Sequence, residues 1–217
     1  MIGTSAQLRC RCGACQITIC DPRVRFRIEC LCFDCRQRAL ISAAKGPVNA
    51  LSQSFLDYQR GVDLYYFANA LIVAEESRSL LEYSKLREDA FNVTAMSSCC
   101  GTVMCGAPPV FERRAVWATP DTCSIIGASE MALQFYLFSN DFPEDKCAAL
   151  PLGDTIPTLG SALEEMSGPS LQALLSAIRA PIDMQFTQAG YATFEQLYAE
   201  QDMKLDNSCF EQSRAHP

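Results

Sequence analysis

The stretch Arg23-Val24-Arg25-Phe26-Arg27-Ile28-Glu29-Cys30-Leu31-Cys32-Phe33-Asp34-Cys35 joins two patterns. Val24, Phe26 and Ile28 alternate with arginines, the period of a half-buried strand. The strand then runs into Cys-x-Cys-x-x-Cys. The same spacing stands upstream as Cys10-Arg11-Cys12-Gly13-Ala14-Cys15, and an adjacent pair, Cys99-Cys100, follows late. Thiols so placed offer a core little, whereas as thiolates they converge on a soft metal, Zn2+ first. The expected fold is therefore mainly β, built around metal.

Outward from that stretch, apolar, β-branched or aromatic runs recur at Gln16–Ile19, Val62–Phe67, Ala70–Val73, Leu80–Leu86, Phe91–Met96, Thr102–Cys105, Ala115–Ala118 and Gln134–Phe138. Gly46-Pro47, Gly61 and Pro108-Pro109 punctuate them. A short helix is expected over Asp34–Ala44, with Asp34 as its cap or as a hydrogen-bond partner behind the ligands. The strands between Cys35 and Cys99 should be antiparallel and return the chain to the metal. After Leu152 the pattern turns helical. Leu171, Leu174, Leu175 and Ile178 share a face between Pro169 and Pro181, and Thr193-Phe194-Glu195-Gln196 has the form of a capping box opening a helix to about Asp202. Residues 1–152 thus read as a zinc-binding β domain. Residues 153–217 read as a helical extension that covers a sheet or makes a homo-oligomer contact, with Gln212–Pro217 expected to be disordered.

Composition narrows the function. Thirteen cysteines are an odd number, and the N-terminus lacks the basic and apolar regions of a secretory signal, so reduced thiols in the cytoplasm are expected rather than a disulfide framework. No stretch nears the roughly 18 apolar residues of a membrane span. The net charge of -7 is unevenly spread, because residues 1–48 carry eight Lys/Arg against three Asp/Glu. These arginines either compensate negative thiolate centres or form a rim for anionic substrate; Arg25, Arg27, Arg36 and Arg38 are the candidates to hold carboxylates. The acidic remainder speaks against nucleic-acid binding. His216 is the only histidine and lies at the end of the chain, which leaves no His ligand near the thiols and no Ser-His or Cys-His pair. Cys20, Cys105, Cys123, Cys147 and Cys209 read as isolated apolar residues, Trp117 as core, and Asp141-Phe142-Pro143 as a turn.

The two triplets differ in opportunity. Cys10 and Cys12 can join Cys99 and Cys100 in a closed site, while Cys30, Cys32 and Cys35 have no evident fourth partner. A closed set is the mark of a structural zinc and an open one of a catalytic zinc.

Cys10-Arg11-Cys12-Gly13, Cys30-Leu31-Cys32-Phe33-Asp34-Cys35 and Ser97-Ser98-Cys99-Cys100-Gly101-Thr102 resemble, in order and spacing, the three motifs of the glutathione-dependent formaldehyde-activating enzymes and their centromere-protein-V-like relatives. The resemblance covers residues 8–140. It implies an Mss4-like β-tent of antiparallel sheets, a structural zinc from the first and third motifs, and a second zinc at the triplet that takes up the thiol substrate. The implied activity is that of a carbon–sulfur lyase forming or cleaving S-hydroxyalkyl adducts of glutathione or a related thiol. Ser97 stands where that family has a cysteine, so Cys99 or Cys15 must complete the first set beside Cys100. The Cys-Cys pair is similar to that of longer family members rather than the founding enzyme. The alternative to an enzyme is a zinc-stabilised protein-interaction module.

Overall fold

The structure is a computed structural model, and it describes residues 5–46, 51–147, 150, 158–159, 169–187, 189–199 and 201–205. Its strands are β1 (Ala6–Arg9), β2 (Gln16–Ile19), β3 (Phe26–Cys30), β4 (Val62–Ala68), β5 (Leu71–Ile72), β6 (Leu81–Lys85) and β7 (Val93–Ser97). They continue as β8 (Val103–Ala107), β9 (Ala115–Ala118), β10 (Ser124–Ile126), β11 (Phe135–Leu137), β12 (Thr158–Leu159) and β13 (Lys204–Leu205). The helices are α1 (Phe33–Ala44), α2 (Gln53–Leu56), α3 (Glu75–Arg78), α4 (Glu144–Cys147), α5 (Pro169–Ile178) and α6 (Phe194–Tyr198). The protein is mainly β, as expected.

One sheet has the order β10-β1-β2-β5 and the other β12-β11-β3-β4-β9-β8-β7-β6-β13. Most neighbours are antiparallel. The exceptions are β3–β11, β11–β12 and β6–β13, which are parallel and lie towards the edges of the larger sheet. In β3 the alternation read from sequence is realised: Phe26, Ile28 and Cys30 are buried and Arg27 and Glu29 are half-buried. Opposite them stand Tyr66, Leu64 and Val62 of β4, and β3 thereby delivers Cys30 into the interior. Every run expected to be extended contains a strand.

The α1 helix begins one residue earlier than expected, and its cap is not Asp34. The Cys32 sulfur accepts the Cys35 N–H at 3.3 Å and caps the helix itself. Asp34 sits in the first turn and pairs instead with Arg87 on the β6–β7 loop, at 2.6 Å. The inner face of α1 packs against β4 and β8.

The described parts of residues 153–217 share the main core. Leu174, Leu175 and Ile178 of α5 and Phe194 and Leu197 of α6 are buried in it. Asn69 holds the start of α6, accepting the Phe194 N–H at 2.6 Å and donating to Glu195 at 2.8 Å. The capping box of Thr193 and Gln196 forms. The helix is shorter than expected because the chain leaves it to add β13 to β6. The expectation for Gln212–Pro217 falls outside the described residues. Among those described, no helix is long and apolar enough to cross a membrane.

Candidate metal centres

Although they share a spacing, the two triplets fold differently. The first is the turn of the β1–β2 hairpin: the Cys10 N–H donates to the Cys15 carbonyl at 3.0 Å, the Gly13 N–H reaches the Cys10 carbonyl at 3.0 Å, and Gly13 has φ 81°. The β-branched Ile17, Thr18 and Ile19 favour a strand after the turn, and β1 pairs with it antiparallel, Leu8 opposite Ile17 and Gln7 opposite Thr18. The second triplet begins in β3 and ends in α1, since helix-favouring Arg36-Gln37-Arg38-Ala39-Leu40 follows it.

Cys10, Cys12, Cys99 and Cys100 bring their four sulfurs within 4.8 Å of one another. The Cys10–Cys12, Cys12–Cys99 and Cys10–Cys99 separations are 3.5, 3.4 and 3.8 Å. Four sulfurs about 2.3 Å from a Zn2+ ion define a tetrahedron with edges of about 3.8 Å, so the donors and their spacing suit such an ion. The adjacent pair fits because the β7–β8 hairpin turns at Gly101, with φ 64°. A side chain there would also collide with Lys45.

Cys15 is not a member of this set. Its buried thiol points to the Ser77 carbonyl at 3.7 Å, and burial pushes it up to about 12. Its backbone N–H does contribute, donating to the Cys10 sulfur at 3.2 Å. Ser97 also stays outside, with its hydroxyl 3.4 Å from the Cys100 sulfur. Burial raises the Cys100 thiol, but the Ser97 and Thr102 hydroxyls and the Cys12 N–H outweigh it and hold the group at about 5. The surroundings are thus arranged for a thiolate.

Cys30, Cys32 and Cys35 form the second group, again within 4.8 Å, with 3.3 Å between Cys30 and Cys32. No fourth Cys, His, Asp or Glu among the described residues joins it. Cys30 and Cys35 are buried, and Cys32 is the least buried of the three. Hydrogen bonds from Cys30 and Cys32 push the Cys35 thiol well down, while hydrogen bonds with Cys32 and Cys35, together with burial, push Cys30 well up. Three thiols this close cannot all ionise without a cation among them.

All four candidate arginines make hydrogen bonds within the fold, although Arg38 keeps one guanidinium nitrogen, Nη1, without a partner. Arg25 donates to the carbonyls of Arg114, Ile178, Ala180 and Pro181 and so caps the end of α5. Arg27 makes a two-pronged pair with Asp63, both contacts 2.9 Å. Arg36 donates to the carbonyls of Phe55 and Leu56 and lies over the Tyr58 ring at 3.5 Å. Arg38 is buried beneath α1 and donates to Thr94 and Asn92. Alternating placement on β3 signalled half-buried side chains; it could not signal which distant carbonyls would meet them.

Two residues not singled out for a role belong to these sites. The Arg11 guanidinium donates to the Ser42 hydroxyl and, at 2.8 Å, to the Ser42 carbonyl, while its backbone N–H reaches Thr102. It ties the first group to the end of α1, whose start carries the second. Asp141, in the turn after β11, accepts the Phe33 N–H and stands near Cys32; burial and the Cys32 charge raise its pKa. Neither has a motif. Of the expected core residues, Cys20, Cys105, Cys123 and Trp117 are buried.

The fold and its two sulfur groups define a mainly β protein with two candidate thiolate metal sites, one of four donors and one of three. No family model, curated protein or solved structure matches the chain.

Proposed function

We propose that this is a two-zinc protein resembling the glutathione-dependent formaldehyde-activating enzymes, with a structural Zn2+ at Cys10, Cys12, Cys99 and Cys100 and a reactive one at Cys30, Cys32 and Cys35. The observation that carries this reading is the difference between the groups: four sulfurs in one, three in the other with Cys32 half-exposed. All-sulfur donor sets favour Zn2+ among the common cellular dications without redox chemistry. The Mss4-like β-tent implied by the resemblance accords with the two sheets.

Bound at the triplet, Zn2+ supplies the charge that favours the thiolate form of an incoming thiol such as glutathione. The chain's part is to hold three sulfurs and leave the fourth position open. The thiol sulfur then adds to an aldehyde carbon, the thiol proton ends on the new hydroxyl, and the reverse step cleaves the carbon–sulfur bond. Such a carbon–sulfur lyase needs no histidine.

Metal content tests the two sites and exchange kinetics test the reaction. Two zincs per chain are expected, falling to one in Cys32→Ser with the far-UV spectrum unchanged. One zinc in both proteins would overturn the open site. With two present, NMR exchange of glutathione and formaldehyde should be faster than the uncatalysed rate. An unchanged rate would favour the second reading, a zinc-stabilised interaction module, for which the 77% exposed Phe91 is the observation.

A further inference from the structure

We infer that Arg38 selects the charge of the fourth ligand at the second group, so that an anion, a thiolate above all, is accepted in preference to a neutral molecule. The inference rests on the reading that Cys30, Cys32 and Cys35 hold a metal.

Arg38 is 4% exposed. Its Nε donates to Thr94 Oγ1 at 2.9 Å and its Nη2 to the Asn92 carbonyl at 3.2 Å, both acceptors neutral. Its Nη1 is buried with no hydrogen-bond partner. Among the described residues no carboxylate pairs with this guanidinium, in contrast to Arg27 on Asp63 and Arg87 on Asp34. A buried charge left uncompensated is strongly unfavourable, so the negative partner should be nearby.

The second group is that partner. Arg38 and Cys35 lie one turn apart on the buried face of α1 and share the wall of a cavity of about 10 Å3, also lined by Trp117, Thr119 and Thr122. Three thiolates around a dication carry one net negative charge, and an anionic fourth ligand makes it two. In a water-poor interior that second charge is opposed unless a cation faces it. The nearby carboxylates carry the wrong sign, and the Arg87 guanidinium is already paired with Asp34 and Asp89. Arg38 supplies the cation, held rigidly from β7 and therefore at fixed distance.

The first group has a comparable neighbour in Arg11, whose Nη1 is also without a partner. There all four positions are filled by the chain, so charge is compensated but nothing is selected. Arg36 has a partnerless Nε, yet its guanidinium is stacked on Tyr58.

The test uses the full chain loaded with Co2+, whose d–d bands report the fourth ligand. Azide serves as an anionic probe, 2-mercaptoethanol as one that becomes anionic by releasing its thiol proton to buffer when it binds, and imidazole as the neutral one. Wild-type protein should bind both anionic probes more tightly than imidazole. Arg38→Gln should weaken both by about tenfold or more while leaving imidazole within about twofold, as expected for loss of one nearby charge. Arg38→Lys should restore most of the difference, which a purely structural role would not predict. An unchanged azide-to-imidazole ratio in a folded Arg38→Gln would overturn the inference. So would a wild-type protein with no preference for anions, a result that needs no variant to fold. Binding of a single cobalt per chain would overturn the metal reading itself, whereas two cobalts without anion preference would overturn only the role of Arg38.

Discussion

Cys15 carries its thiol away from the four-sulfur group, and only its backbone N–H takes part. Cys15→Ala should therefore leave metal content unchanged, because the N–H survives, and cost about 1 kcal/mol for the lost side-chain hydrogen bond; metal analysis and a urea titration check both. Cys12→Ser removes a sulfur that lies 3.5 Å from Cys10 and 3.4 Å from Cys99, and should lose one metal together with cooperative unfolding. An equally stable Cys12→Ser variant would contradict a structural site. The cysteine pattern marked both groups out in the sequence. Membership was harder to read, since a hairpin turn aims Cys10 and Cys12 one way and Cys15 the other. Ser97 shows the same limit: a hydroxyl beside the sulfurs helps hold Cys100 low without belonging to the set.

At the scale of elements, α1 links the two centres, capped by Cys32 at one end and held through Ser42 by Arg11 at the other. The tail elements are held as firmly. Thr193→Ala breaks the capping box of α6 and should cost about 1 kcal/mol in a urea titration. Phe194 is fully buried between Tyr83 and Tyr198, and Phe194→Ala should cost about 3–5 kcal/mol. The turn after α5 is pinned more weakly and with a pH dependence. Hydrogen bonds from Gln185, together with Arg23, hold the Asp183 carboxyl below its usual 3.8. A lowered folded value means that the pin is present above 3.8 and is lost as the pH falls through the folded value. Hydrogen exchange around Gln185 should be faster in Asp183→Asn than in wild type at neutral pH, and the two should converge in acid well below 3.8. Strand and helix periodicity made most of these elements legible. Strands β1, β10, β12 and β13 were not, because so short a segment has little or no period and becomes a strand only when an edge is there to receive it.

For the molecule as a whole, the four-sulfur group joins the β1–β2 hairpin of the smaller sheet to the β7–β8 hairpin of the larger. A metal there closes a loop of some ninety residues in the unfolded chain, and its binding energy becomes folding energy. Chelation that empties both groups should therefore lower the thermal midpoint sharply, whereas Cys32→Ser, which empties only the triplet, should shift it by a few degrees at most; differential scanning calorimetry distinguishes them. The sequence by itself determined that the chain is mainly β and that two sets of thiols converge, because alternation and ligand spacing are local properties of a few neighbouring residues. The tertiary structure alone decided that Cys99 and Cys100 both close the first set, that Arg25, Arg27 and Arg36 are engaged within the fold, and that Arg38 is the buried cation beside the second. Those outcomes depend on which distant carbonyl, carboxylate or sulfur is brought within a few ångströms, and no spacing along the chain encodes that.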